Sequence, residues 1–415
     1  MRYNPFQMDL SLRGFQGTSV TGAPQGISVF VDGVRVNEPT VEEVNFDLLP
    51  LDDVERVELI RGPAAVFGRN TIGGVLNIVT RRGGEARELV PEAEWGSFGR
   101  QQYRLRVGGA EGPMDYYVAG TYFREDGRRD YSASRVGRLF TRFGLRAGET
   151  DLSVSYQRAQ NRLEQPGSLP ESELGQHRTR NFTGGDFFKP LLNLVTLNVK
   201  QGFGDHWSLN TTAFVRTLDA EQFNVNLAAD STRTFTSTLT VGGTVEAVHQ
   251  GTVLGRPNRF LLGLDYSHAD ARVRVFEEAA PGQREIDSNV RDSINAVGAW
   301  VQNTLDVARG LLMAGDQLVL TTSARFEFLR HVIGDRNPDP GPRSSGGHTY
   351  VRTQPRFGIN YNPTRNVDLY FTYAEGFRAP SFLELTCASP ATICPGLQAG
   401  VAPDPPLKAV KARNY

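Results

Sequence analysis

"RGPAAVFGRNTIGGVLNIVTRR", residues 61–82, decides how the rest of the chain is read. Gly62, Pro63, Gly68, Gly73 and Gly74 interrupt regular structure, and the apolar run Val75–Val79 then ends on basic residues. Backbone freedom beside strand propensity suits a phosphate-binding loop, or a turn within a small mixed domain. Gly68 and Gly73 have the spacing of a Walker A loop. However, Gly74 stands where that loop needs lysine, and Val75 where a hydroxyl would hold magnesium. The groups that reach a phosphate are missing, so the stretch reads as a turn followed by a strand.

Working upstream, "GISVFVDGVRV", residues 26–36, is two short β runs around Asp32-Gly33, a dipeptide that favours a tight hairpin. Pro50 and the pair Asp52-Asp53 open a short helix, and Val57 and Leu59 belong to a strand. Residues 1–84 therefore read as a small α+β domain.

Downstream, residues 85–415 follow a different rule. "DLSVSYQRA" sets Leu152, Val154 and Tyr156 against Asp151, Ser153, Ser155 and Gln157. "GDQLVLTTSARFEFLR" sets Leu318, Leu320, Ala324, Phe326 and Phe328 against Gln317, Thr321, Ser323, Arg325 and Glu327. This is period two, one apolar face and one polar. The pattern yields about thirteen strands, near 88–97, 100–109, 115–126, 135–147, 151–162, 190–203, 206–221, 231–249, 258–276, 291–308, 315–332, 350–362 and 366–377. They are longer than the ~5–6 residues of ordinary globular strands. Short connections such as "AEGP", "AGET" and "NPTR" alternate with long polar ones at 163–189, 222–230, 277–290 and 333–349. Sorting tight turns to one end and long loops to the other is the habit of an outer-membrane barrel, and a soluble sandwich has no reason for it.

Composition agrees. The chain of 415 residues carries 45 basic and 46 acidic side chains, with no basic bias toward nucleic acid. Glycine is abundant at 44, alongside 24 phenylalanines and 13 tyrosines, as turn-rich β structure requires. No apolar run approaches the ~18 residues of a membrane helix. The mean hydropathy of -0.36 is compatible with barrel strands, which show lipid only every second residue. The N-terminus "MRYNPFQMDLSLRGF" has no basic-then-apolar leader, so the chain is expected to start inside a longer one or to remain unexported.

No sequence motif asks for a cofactor or for covalent catalysis. His177, His206, His249, His268, His331 and His348 are scattered without metal-ligand spacing and read as turn or loop residues. No GxSxG elbow occurs. Asp52-Asp53 and Glu277-Glu278 read as solvated acidic pairs rather than an acid–base couple. The expectation is a chain that is not an enzyme.

The residues also carry a resemblance. Arg61-Gly62-Pro63, Phe67-Gly68 and Gly73-Gly74-Val75-Leu76-Asn77-Ile78 match, in order and spacing, the end of the plug domain in TonB-dependent outer-membrane receptors. "QGISVFVDGVRVNEPT", with Asp32 and Gly33, resembles the plug hairpin, and "YFTYAEGFRAPSFLEL" resembles a strand-to-loop motif of the same family. The resemblance implies a mainly β fold: a small α+β plug, residues 1–84, followed by part of a transmembrane antiparallel barrel, residues 85–415. Family barrels have ~22 strands, so the chain is expected to be a fragment lacking the first half of the plug, the TonB box and about nine C-terminal strands. It implies import of a scarce ligand, most often a ferric siderophore, from the outer membrane of a Gram-negative bacterium, using energy from the inner-membrane TonB complex. The partners implied are TonB, outer-membrane lipid and the extracellular ligand. Arg61 is expected to make a buried contact with barrel glutamates. Arg178, Arg180, Phe187, Phe188, Phe377 and Arg378 are candidate ligand contacts, and Cys387 and Cys394 a candidate loop disulfide, with two free thiols as its alternative. The rival readings are a plugless porin or adhesin and a non-functional fragment.

Overall fold

The computed structural model describes all residues except 1–5, 7, 9, 13, 17–25, 176, 228–229, 281, 314, 338–344 and 387–406. A short hairpin, β1 (Ser11–Leu12) and β2 (Phe15–Gln16), precedes a four-stranded sheet. That sheet comprises β3 (Ile27–Val31), β4 (Val34–Arg35), β5 (Val54–Arg61) and β6 (Gly74–Thr80), in the order β4-β3-β6-β5. Asp32 and Gly33 form the β3–β4 turn with φ of 48° and 85°, the left-handed pair that a tight hairpin demands. The apolar run at Val75 becomes the central strand β6, parallel to β3 and antiparallel to β5. Ile27, Val29, Val31, Phe46, Leu49 and Ile78 close a dry core beneath it. Pro50 leads into a 3-10 turn, Leu51–Asp53, where the sequence suggested a helix; three residues are too few to continue it before β5 begins.

A second sheet holds fourteen antiparallel strands, each paired with its sequence neighbours. They are β7 (Glu88–Trp95), β8 (Gln101–Glu111), β9 (Met114–Glu125), β10 (Ser134–Ala147), β11 (Thr150–Glu164), β12 (Phe187–Phe203) and β13 (Trp207–Asn224). There follow β14 (Ser231–Val253), β15 (Arg256–Ala280), β16 (Gln283–Arg309), β17 (Gln317–Asp335), β18 (Gly346–Thr364), β19 (Val367–Arg378) and β20 (Val410–Asn414). Two helical segments, α1 (Glu171–Leu174) and α2 (Phe382–Thr386), lie in the long connections.

Three further expectations are corrected. A fourteenth strand, β20, pairs with β19 from Ala374 to Arg378. The stretch 277–290 holds no long loop: β15 runs on to Ala280 and β16 starts at Gln283, with Glu277 opposite Glu285 and Ala280 opposite Gln283. Their polar composition reads as a loop, yet a polar hairpin still closes its own ladder of hydrogen bonds. Four of the histidines, His249, His268, His331 and His348, also lie in strands rather than turns.

The small sheet sits on one face of the large one. It touches β8 through Arg104 to Asp52 at 2.7 Å, and β19 through the Asn70 amide to the Phe377 carbonyl at 3.0 Å. In a flat sheet those strands would stand about 50 Å apart at ~4.8 Å per strand. A compact unit of this size is about 30 Å across. The large sheet therefore curves around the small domain. Facing residues point inward at every second position, such as Leu192 and Leu218 against Leu48. The other face exposes Leu262, Leu264 and Tyr266.

Candidate functional site

The surface between the small domain and the curved sheet is charged. Glu38, after β4, meets Arg216 of β13 through two hydrogen bonds, one of 3.0 Å, with both side chains less than a twentieth exposed. Arg69 reaches Glu327 of β17 at 3.4 Å, and Glu42, at 3.9 Å from Arg69, also holds Arg35. Glu327 is fully buried and accepts from Arg325 at 2.6 Å. Arg325 also reaches Asp265 at 2.6 Å and lies over the Trp300 ring, 5.1 Å from its centre. A cavity of about 250 Å³ opens beside this network, walled by Phe30, Phe67 and Arg69 on one side and by Phe214, Trp300 and His331 on the other. His331 is itself oriented by Asp292, Nδ1 to Oδ2 at 2.6 Å.

The same logic extends around the sheet. Asp32 of the hairpin turn accepts from the Thr80 amide at 3.0 Å and faces Arg142 of β10 at 3.4 Å. Arg82 bridges Asp115 and Asp151, 2.7 Å from each. Tyr117 donates to Asp53 at 2.8 Å, and Asn161 to Asp47 at 2.9 Å. Burial raises the carboxyl pKa of both Asp47 and Asp53, and it lowers the Arg35 guanidinium to about 10 against the opposing pull of Glu42. Asp53 is thus a buried hydrogen-bonded group, not the solvated residue its neighbour Asp52 suggested.

The opening stretch supplies the pivot. Gly68 adopts φ +74°, and a Cβ there would fall 2.8 Å from the Arg325 guanidinium. Only glycine gives both the left-handed backbone and that approach. Gly74 likewise has φ +151°, and a Cβ would meet the Ile60 carbonyl at 2.6 Å. Gly62 and Pro63 are buried, and Pro63 packs against Gly376 of β19, joining two motifs far apart in sequence. Phe67 stands edge-on to Phe30 with centres 5.0 Å apart. Gly73 is pressed against Phe15, and Asn77 donates to Glu58 at 2.8 Å.

Arg61 does not make the expected buried contact. It is the last residue of β5, an edge strand, and it is exposed. The arginine that reaches a fully buried glutamate is Arg69, beyond the 3-10 turn Ala65–Phe67. The candidate ligand contacts also separate. Arg178 and Arg180 are exposed in the loop around α1, Arg180 paired with Glu173 at 3.0 Å. Phe188 points inward onto Phe123, Val136 and Leu163. Phe187, its neighbour in β12, is on the opposite, outer face, where it stacks on Phe223. Phe377 is 1% exposed, packed among Ala269, Ile294 and Leu329, and is closed to a ligand. Arg378 pairs with Glu384 of α2 at 2.8 Å. Cys387 and Cys394 lie outside the described residues.

Sequence reading missed Glu38, Arg69 and Arg216. Its available signal was an arginine on the polar face of a long strand, since that face must meet either water or a partner. The partner itself was unreadable.

A family model described as TonB dependent receptor-like, beta-barrel, matches residues 124–415, and one described as TonB-dependent Receptor Plug Domain matches residues 2–75. Among curated proteins, the rhizobactin receptor of Rhizobium meliloti (strain 1021) is 22% identical over 432 residues, which cover 88% of this chain and 56% of that protein. The vitamin B12 transporter BtuB of Photobacterium profundum is 49% identical over 53 residues, 12% of this chain and 9% of that protein. The ferric citrate transporter FecA in its unliganded form aligns with a TM-score of 0.79 at 16% identity, over 93% of this chain and 58% of its own. The chain thus spans about half the length of the relatives it matches from end to end.

Proposed function

Because this chain belongs to the TonB-dependent receptor family of the outer membrane, whose members are receptors and transporters rather than enzymes, we propose that it takes part in energised import of a ferric siderophore. Residues 1–84 act as the plug, and residues 85–415 form part of a transmembrane barrel wall. TonB supplies the pull on the plug. A siderophore receptor and a ferric yersiniabactin uptake receptor among the similar solved structures support the ligand class. Arg178 and Arg180, exposed on the longest described connection, offer first contacts to an anionic chelate.

One observation carries the reading: the plug is held to the wall by buried ion pairs rather than by a continuous apolar seam. Such contacts can be exchanged for water as a domain is drawn away, whereas apolar area resists exposure by ~25 cal/mol per Å² along the whole seam. A plugless porin would have no such domain, and the plug match argues against it.

The test is genetic. Disrupting the gene in its source bacterium should abolish growth on one member of a panel of ferric siderophores under iron limitation, and the intact gene should restore it. A gene whose loss changes uptake of no ferric chelate would overturn the proposal.

A further inference from the structure

The outer face of the large sheet changes character along β15. Leu262, Leu264 and Tyr266 are apolar and exposed, whereas Asp270, Arg272 and Arg274, at the same parity, are charged. Neighbouring strands change at the same level. Val215, opposite Val241, gives way to Asp219 and Glu221, and Val297 to Arg291. From Phe260, at the start of the apolar stretch, to Arg272 is about 40 Å along the strand. At a tilt of ~40° this is about 30 Å along the membrane normal, just above a hydrocarbon band ~25 Å tall.

At this level lies a cleft of about 600 Å³ on the face away from the plug. Arg272, Arg274, Arg291, Arg336 and Lys189 line it, against Asp219, Glu221 and Asp270. The carboxylates are already engaged: Asp270 with Arg291, Glu221 with Lys189 and Arg233, and Asp219 with the Ser237 hydroxyl at 2.7 Å. Arg272 donates to the Asn289 side-chain oxygen at 3.2 Å, and Arg274 lies over Phe235, 5.6 Å from the ring centre. Among the described residues, Arg272, Arg274 and Arg336 have no carboxylate within ion-pair distance. Leu191, Phe235 and Leu239 give the cleft an apolar floor. Beside it, Phe187 stacks on Phe223 with Lys189 4.1 Å from its centre, an aromatic and cationic belt of the kind that sits at a bilayer interface.

We propose that this cleft binds the phosphorylated headgroup of an outer-leaflet glycolipid, with Arg272, Arg274 and Arg336 as the phosphate contacts. Guanidinium forks match phosphate oxygens bidentately, and partial desolvation at the membrane surface strengthens each contact. The apolar floor receives the upper part of the acyl chains, and continuity with the apolar band below supplies the rest of the lipid's path. The occupant is a membrane lipid rather than a soluble anion because the cleft opens sideways, on the lipid-facing side of the sheet. The inference rests on the membrane-wall reading given above.

The test places the full chain in nanodiscs of phosphatidylethanolamine, with and without a tenth of lipid A, and measures retained lipid A per protein by mass spectrometry after detergent exchange. The native chain should retain lipid A, and the double variant Arg272→Gln/Arg274→Gln should retain at least tenfold less. Arg256→Gln, at the opposite end of β15, should behave as the native chain. Dephosphorylated lipid A should not be retained by any of them. A chain that does not insert into nanodiscs refutes the membrane-wall reading. Insertion with equal retention by native and double variant refutes the lipid site alone. Loss of retention with 10 mM inorganic phosphate would make the cleft a simple anion site, and a dimer that covers it would make it a contact between copies; either result overturns the proposal.

Discussion

Glu38→Gln isolates what a buried ion pair does for the plug. The substitution keeps the shape and one acceptor oxygen but removes the charge facing Arg216, whose side chain is 4% exposed. The guanidinium then stays buried without a counter-ion, since Glu38 is its one ion-pair partner among the described residues. Removing one partner of a buried pair costs about 3–5 kcal/mol. Against a domain stability of ~5–15 kcal/mol, that raises the population of the undocked plug by roughly two to four orders of magnitude. Hydrogen exchange of the intact protein in detergent reads this directly at the Asn70 amide, which donates across the interface to the Phe377 carbonyl of β19. Protection there should fall about 10²–10⁴-fold, with that of β10 and β11 unchanged. The double variant Glu38→Leu/Arg216→Leu should recover most of it, because a buried pair and its apolar replacement lie close in free energy. Protection that is unchanged in the single variant, or that is no better in the double, would refute the reasoning.

Three other outcomes follow from the same geometry. Gly68→Ala should lower plug stability by about 1–3 kcal/mol from the positive-φ backbone alone, more because the new methyl displaces Arg325, and a thermal melt should show it. Phe377→Ala should destabilise by about 3–5 kcal/mol without a selective effect on ligand affinity, since its ring is packed in a core; chemical denaturation beside ligand titration separates the two. Burial raises the Asp53 carboxyl above its ordinary value of 3.8, so the folded state binds that proton more tightly than the unfolded one. Its contribution therefore favours folding at acid pH and declines as pH rises from 3.8 through the raised folded value. Asp53→Asn, which still accepts from Tyr117, should remove that decline, and the difference in denaturation midpoint between the two proteins should widen across the window and then hold steady.

Much of the fold was legible because the large sheet repeats one signal. Side chains that alternate between apolar and polar over so many residues can only belong to a sheet with two unlike faces. The signal fails at Glu277–Ala280 and Gln283–Asn289, where the ladder continues but side chains on both faces are largely polar and the hydropathy contrast has gone. The hairpin at Asp32-Gly33 was legible for a local reason, the left-handed backbone its turn requires. The docking surface was not. Glu38 and Arg216 are 178 residues apart, and Arg69 and Glu327 are 258 apart. No local rule assigns one buried charge to another at such range.

The contrast between Arg61 and Arg69 shows why a motif can be recognised while its contact is misplaced. Both arginines flank the same glycine-rich turn. Arg61 ends an edge strand, and its direction is fixed by the pleat, which turns it to the exposed side. Arg69 follows Gly68, whose positive φ redirects the chain toward β17. The same glycine brings the plug backbone against the Arg325 guanidinium, which Asp265, Glu327 and Trp300 hold from other sides. One glycine thus sets both the course of Arg69 and the packing of Arg325, and the two arginines share Glu327. Drawing Arg69 away would leave Glu327 with Arg325 as its remaining ion-pair partner, so the wall keeps its charge balance when the plug departs. The contact at Glu38 differs, because Arg216 has no second carboxylate within ion-pair distance among the described residues and is left to water on withdrawal. Under the proposed import, the first contact suits repeated release, and the second holds the plug more firmly until it is drawn away.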